Sequence, residues 1–407
     1  MKEFLLAKKD QKQDQGYRVP MSSPDLTRAE REVVAQVLET PRLSMGPYEE
    51  AFENAVKEYA GVRHAIAVNS GTAGLHLCVR AGGISDGDWV ITTPFSFVAS
   101  ANVILYERAV PIFIDVEETT GNIDVALVEE AANDLRVGGH SAERWLPRKG
   151  VERGGDLKAI LPVDVFGQPA DYDPLHKIAR KFELCVIEDS CEALGSTYEG
   201  RKAGTFGDAG IYAFYPNKQI TTGEGGVIVT NHDRWASMMR SMRNQGRAPG
   251  DTWLTHTYLG YNYRLNELSA ALGAVQMTRV DELIGKREQV AHWYLDQLKE
   301  LQGVEGPQVV PTTTRMSWFV FVVRFDPAVD RNEVVALLKE RGIPARPYFM
   351  PIHLQDYMRE RFHYREGDFP VTEDLGRRGL ALPFSSVMTQ EQVEEVCQAL
   401  GEVLEGF

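Results

Sequence analysis

Lys218 and Asp189 are the residues whose types and placement point most directly to chemistry. Lys218 lies in YAFYPNKQITTGEGG, in a turn leading to a Gly-rich strand, and Asp189 ends the apolar run LCVIEDS 29 residues upstream. A lysine amine in such a turn can form an imine with a carbonyl and later act as a general base. A carboxylate at the end of a buried strand must cap a helix or meet a cationic or hydrogen-bonding partner. Opposite a protonated heteroaromatic nitrogen, that carboxylate would keep the ring positive and make it an electron sink.

The turn NSGTAGLH offers a third element, with a β-run ending at Asn69 and a helix opening on Ser70, Gly71 and Thr72. Glycine permits close backbone approach, the unpaired N–H groups of a first helical turn face outward, and the Thr hydroxyl adds a donor, a combination suited to phosphate. An ordinary Ser-capped helix has the same pattern. The segment TTPFSFVAS is expected to place Phe95 and Phe97 on the same face at the end of DWVITTP, since alternate strand residues share a face, with Phe97 the better candidate for stacking on a ring. Both can equally be core aromatics. Schiff-base lysine, acid, phosphate cradle and aromatic face are together the requirements of a pyridoxal phosphate (PLP) site.

The elements that must position these groups follow from patterning. From Ala65 to about Thr230, short β-rich runs alternate with helical stretches, which predicts a largely parallel sheet covered by helices. Ligands of such sheets gather at the carboxyl ends of strands, and Ser70, Phe97, Asp189 and Lys218 all fall near such ends. Thr27 and Glu30 form a capping-box pattern before Val33, Val34, Val37 and Leu38. The stretch 133–156, rich in Gly and Arg, reads as a long excursion in which Arg136, Arg144, Arg148, Lys149 and Arg153 either meet an anionic ligand or are simply solvated. After Gly260 the pattern changes to one long helical segment, the strand-like SWFVFVVRF and two further helices. Residues 1–260 are therefore expected to form an N-terminal segment and large domain, and 261–407 a linking helix and smaller domain.

Composition narrows the function classes. The 407 residues are 43% hydrophobic and 25% charged, and a net charge of −14 without blocks of like charge disfavours nucleic acid or an acidic membrane as partner. The four cysteines lack a CxxC unit, no run approaches the ~18 apolar residues of a membrane helix, and the N-terminus reads as neither signal nor anchor, so a cytoplasmic protein is expected. No metal site is expected. A Rossmann-type nucleotide binder is disfavoured because no GxGxxG follows the first strand.

The ordered blocks RLSMGPYEEAFENAVKEYAG, VNSGTAGLHL, TTPFSFVASAN, PIFIDVE, IEDSCEALGS, KQITTGEGG, GYNYRLNELSAALG and RPYFMPIH resemble the DegT family of nucleotide-sugar aminotransferases, from about Val19 to the C-terminus. The resemblance implies the fold-type I architecture of PLP enzymes: an α/β domain with a mostly parallel seven-stranded sheet between helices, plus a smaller C-terminal α+β domain. It implies that Lys218 forms the Schiff base, Asp189 pairs with the pyridine nitrogen, Ser70, Gly71 and Thr72 bind phosphate, and Phe97 stacks on the ring. Asn262 would reach the cofactor of a neighbouring subunit, making a homodimer with shared sites. Arg264 would contact a substrate carboxylate or form a structural ion pair, and Tyr215 and His353 fall on the substrate side.

Two positions depart from the family pattern. Ala213 stands where many members carry a phosphate-binding serine, with Tyr215 or a backbone N–H as a substitute. Glu192 stands near the cofactor where His or Gln is usual. The implied reaction moves an amino group from L-glutamate to a keto sugar, expected to be a nucleotide-linked keto-deoxyhexose. The alternatives are a sugar dehydratase, in which His replaces the lysine, a carbocyclic-ketone aminotransferase, and a non-catalytic PLP-binding regulator.

Overall fold

Seven strands at the centre of the computed structural model, which describes residues 16–151, 155–252 and 254–407, realise the predicted alternation. They lie in the order His64–Val68, Gly226–Thr230, Ala209–Ala213, Cys185–Asp189, Leu157–Leu161, Trp89–Thr92, Val110–Phe113. Neighbours pair in parallel except for Gly226–Thr230, which runs antiparallel to both of its neighbours. Every residue of Trp89–Thr92, Val110–Phe113 and Gly226–Thr230 is buried. Helices on both faces require such unbroken apolar runs, in place of alternation.

A second, four-stranded antiparallel sheet orders Val304–Glu305, Phe321–Phe325, Gly379–Leu382 and Arg346–Pro347. Tyr294, Phe321, Leu338 and Leu400 belong to its core, which gathers the helices Val280–Leu298, Arg331–Glu340 and Gln390–Leu404. Packing does not follow a single cut at residue 260. Leu265, Ala270, Met277 and Leu283 pack with Phe52 and Phe214 of the large domain, and Ile352, Met358 and Phe362 join the core beside the strand Val110–Phe113.

Several local expectations change. The long helical segment is two helices, Glu267–Thr278 and Val280–Leu298, separated at Arg279, whose guanidinium leaves the axis to bond Asp25, Glu30 and Glu282. The predicted capping box at Thr27 and Glu30 is formed, yet of the apolar residues behind it only Val37 is buried, and Leu38 is 64% exposed. In the 133–156 stretch the helix Val125–Val137 continues and a short helix Gly139–Glu143 follows. There Arg144 bonds Asp134 at 2.6 Å and Arg148 bonds Asp368 at 2.6 Å, so these two guanidinium groups are committed within the chain. Arg153 and the first 15 residues lie outside the described residues. Among the described residues no helix is long and apolar enough to cross a membrane.

Candidate active site

The carboxyl ends of Cys185–Asp189 and Ala209–Ala213 are adjacent in the sheet, and the groups singled out in the sequence converge there. The strand His64–Val68 ends at a tight turn into the helix Gly71–Ala81, where Ser70 Oγ accepts from the N–H of Ala73 at 3.1 Å. That cap leaves the N–H groups of Gly71 and Thr72 without an intrahelical acceptor. A Cβ at position 71 would lie 2.8 Å from Ala213 Cβ and 2.9 Å from Cys191 Sγ, and one at 226 would lie 2.8 Å from Ser70 O. Glycine at both positions is thus what lets the helix start press onto the strand ends.

Asp189 is 5% exposed and accepts a hydrogen bond from Ser100 Oγ at 2.7 Å and one from the Cys191 N–H at 3.3 Å. These donors fix the carboxylate while leaving acceptor capacity for a cationic partner. Lys218 follows the strand Ala209–Ala213, its N–H bonded to Tyr215 O at 2.9 Å. Its ammonium lies 3.5 Å from Glu192 Oε1 and 3.6 Å from the ring centroid of Phe319. Burial lifts the Glu192 carboxyl above its ordinary range, opposed by the Lys218 charge and by the Phe166 N–H, which donates to Oε2 at 2.9 Å. Burial likewise pushes the Cys191 thiol well up, so this cysteine is a neutral packing group between Gly71 and Asp189.

The remaining candidates divide. Phe97 is 64% exposed and Phe95 is 2% exposed, in contact with Phe166 and Phe349. They do not share a strand face, because the strand ends at Thr92 and the chain turns through Pro94 before reaching them. Phe97 is left exposed and Phe95 lies in the core. Tyr215 is 53% exposed and lines a cleft of about 280 Å³ with Asn217, Phe319, Arg346 and Tyr348. The buried Asn217 Oδ1 and Ser22 Oγ along this cleft have no hydrogen-bond partner among the described residues.

Asn262 is exposed, and its carbonyl accepts from Asn69 Nδ2 at 3.3 Å, while Arg264 Nη1 donates to Asn244 Oδ1 at 3.0 Å. No carboxylate pairs with Arg264 among the described residues. His353 is a correction: it is 0% exposed, its Nε2 is 2.9 Å from Glu373 Oε1, and its ring packs against Phe369. Burial lowers its pKa, and it stands in the core rather than on an open surface. Sequence reading missed Ser100 and Phe319, whose partners lie 89 and 101 residues away in the chain. The TTPFSFVAS block does contain Ser100.

The residues fit pyridoxal phosphate. A close-packed helix start with free N–H groups suits its phosphate, an oriented buried carboxylate suits its ring nitrogen, and a primary amine stands beside both. Residues 24–401 match the model of the DegT/DnrJ/EryC1/StrS aminotransferase family. The chain is 37% identical over 391 residues to GDP-perosamine synthase of Caulobacter vibrioides, covering 95% of this chain and 98% of that protein. A structure of Helicobacter pylori PseC, an aminotransferase involved in the biosynthesis of pseudoaminic acid, superimposes with a TM-score of 0.85 at 28% identity, covering 96% of this chain and 100% of that one. S. venezuelae DesV in complex with a ketimine intermediate gives 0.83 at 30% identity, over 96% and 99%. The fold, the site and these likenesses agree that the chain belongs to the DegT/DnrJ/EryC1/StrS family of PLP-dependent aminotransferases.

Proposed function

We propose that this aminotransferase moves an amino group from L-glutamate to the ketone of a nucleotide-linked deoxyhexose, as a homodimer whose two sites are shared. The observation that carries the reading is the convergence of the Lys218 amine, the Asp189 carboxylate and the Gly71 turn at one end of the sheet. Bound pyridoxal phosphate supplies an aldehyde to take up the donor amine and a ring that withdraws electrons.

This chain's own groups do the rest. Gly71 and Thr72 hold phosphate through their N–H groups and Ser70 caps the turn that presents them. Asp189, oriented by Ser100, keeps the ring nitrogen protonated. Phe97 covers one ring face. Lys218 takes a proton from the donor's carbon in one half-reaction and delivers one to the sugar carbon in the other. Arg264 and Tyr215 face the substrate, and Asn262 of the partner subunit completes the phosphate site. Support for a nucleotide-linked sugar comes from the relatives named for amino-sugar synthesis and from the cleft lined by Asn217 and Phe319, with the exposed Arg346 at its wall. A lysine at 218, where dehydratases carry His, favours amino transfer.

The test is purified enzyme with L-glutamate and a panel of nucleotide-linked and carbocyclic ketones, following 2-oxoglutarate and the mass of the aminated product. Turnover with a nucleotide-linked keto-deoxyhexose is expected, and Lys218→Ala is expected to lower it by at least about 10²- to 10⁴-fold. Full transamination by Lys218→Ala, or turnover of carbocyclic ketones alone, would overturn the reading.

A further inference from the structure

Arg287, on the helix Val280–Leu298, is 1% exposed and faces no carboxylate among the described residues. A buried guanidinium without a counter-ion is costly unless its donors are satisfied, and burial alone pulls its pKa down to about 10. Four backbone carbonyls meet its two Nη groups, while Nε has no hydrogen-bond partner among the described residues. Nη1 donates to Trp318 O at 3.2 Å and Phe319 O at 3.1 Å, and Nη2 donates to Asn217 O at 3.0 Å and Lys218 O at 2.6 Å.

The two pairs belong to segments a hundred residues apart in the chain. One is the turn that carries Lys218; the other carries Phe319, the ring on which the Lys218 ammonium sits. Trp318 has φ 52, in the left-handed region, which for a bulky aromatic persists only where its surroundings hold it. Lysine could not replace this arrangement, because an ammonium has three donors and no planar fork.

We propose that Arg287 is a positioning residue for Lys218: its fork locks the lysine's backbone and its Phe319 seat into one unit, so the amine is placed by a side chain that touches neither substrate nor cofactor. The proposal rests on Lys218 being the reacting amine.

The experiment compares wild type, Arg287→Lys and Arg287→Met. In cofactor-free protein, acetylation of Lys218 by acetic anhydride, resolved by peptide mass, reads its placement without any activity. Both variants are expected to label Lys218 several-fold faster, while the exposed Lys181 and Lys299 label as in wild type. In the loaded enzyme kcat is expected to fall about 10- to 100-fold in Arg287→Met, with KM for both substrates within about twofold and partial recovery in Arg287→Lys. Should Arg287→Met not fold, Arg287→Lys, which keeps the charge and loses the fork, carries the comparison. Wild-type labelling of Lys218 overturns the proposal, and so does faster labelling with unchanged kcat. Full activity in Lys218→Ala would instead remove the assignment of Lys218 on which it rests.

Discussion

Burial and charge pull Glu192 in opposite directions. Removal from water favours its neutral form, the Lys218 ammonium at 3.5 Å favours the carboxylate, and the balance leaves its pKa above the ordinary glutamate value of 4.5. An acid with a raised pKa keeps its proton further up the pH scale. The charged form that pairs with Lys218 therefore accumulates only as pH rises through the raised value. If that form sets the charge state around Lys218, kcat/KM should climb along an acid limb centred above 4.5. Glu192→Gln, neutral at every pH, should abolish the limb, and an identical limb in the variant would assign it to another group. Lys218 and Asp189 were legible in the sequence because each lies near a strand end within a few residues of a recognisable turn, whereas Glu192 was singled out only by its departure from the family pattern. His353 was misplaced because nothing in RPYFMPIH records that Glu373 and Phe369 enclose its ring.

At the scale of elements, apolar runs announced the strands faithfully, since helix-covered parallel strands must be apolar throughout. Their ends were less legible. The strand before Phe95 and Phe97 stops at Thr92, so alternation could not assign their faces. The break at Arg279 was hidden because helical periodicity continues across it, and the cause lies in partners, Asp25 and Glu30, some 250 residues away. The contact between the helix Gly71–Ala81 and the strand Ala209–Ala213 gives an element-scale prediction. A methyl at position 71 meets Ala213 Cβ at 2.8 Å and Cys191 Sγ at 2.9 Å, so Gly71→Ala must lift the helix start off the strand. PLP affinity is expected to weaken by about tenfold or more, the loss of roughly one charge-assisted hydrogen bond. Adding Ala213→Gly removes one of the two clashes and should recover part of that loss. Fluorescence titration of cofactor-free protein with PLP reads both effects, and wild-type affinity in Gly71→Ala would mean that this contact does not govern the cradle.

For the whole molecule, the arrangement around Asn262 bears on assembly. Asn262 is exposed, Leu43, Met45, Tyr106, Tyr258 and Leu259 are 40–75% exposed, and the chain links several of them to the same block. The Leu43 carbonyl accepts from the Glu267 N–H at 3.0 Å, Ser44 bridges Asn266, and Tyr258 and Leu259 directly precede GYNYR. Exposed apolar groups collected in this way suit a surface that another chain covers, and the proposed two-fold dimer would place each Asn262 at its partner's site. Shared sites make a specific prediction. Lys218→Ala and Asn262→Asp should each be weakly active alone, since one lacks the amine and the other sets a carboxylate against phosphate. Unfolded together at equal concentration and refolded, they should form heterodimers in which one site combines Lys218 of one chain with Asn262 of the other and is intact. Random pairing makes about half the dimers mixed, each with one working site, so activity should return to about a quarter of wild type. Sedimentation of the refolded mixture checks that dimers have formed, and dimers without recovered activity would place Asn262 in its own chain's site.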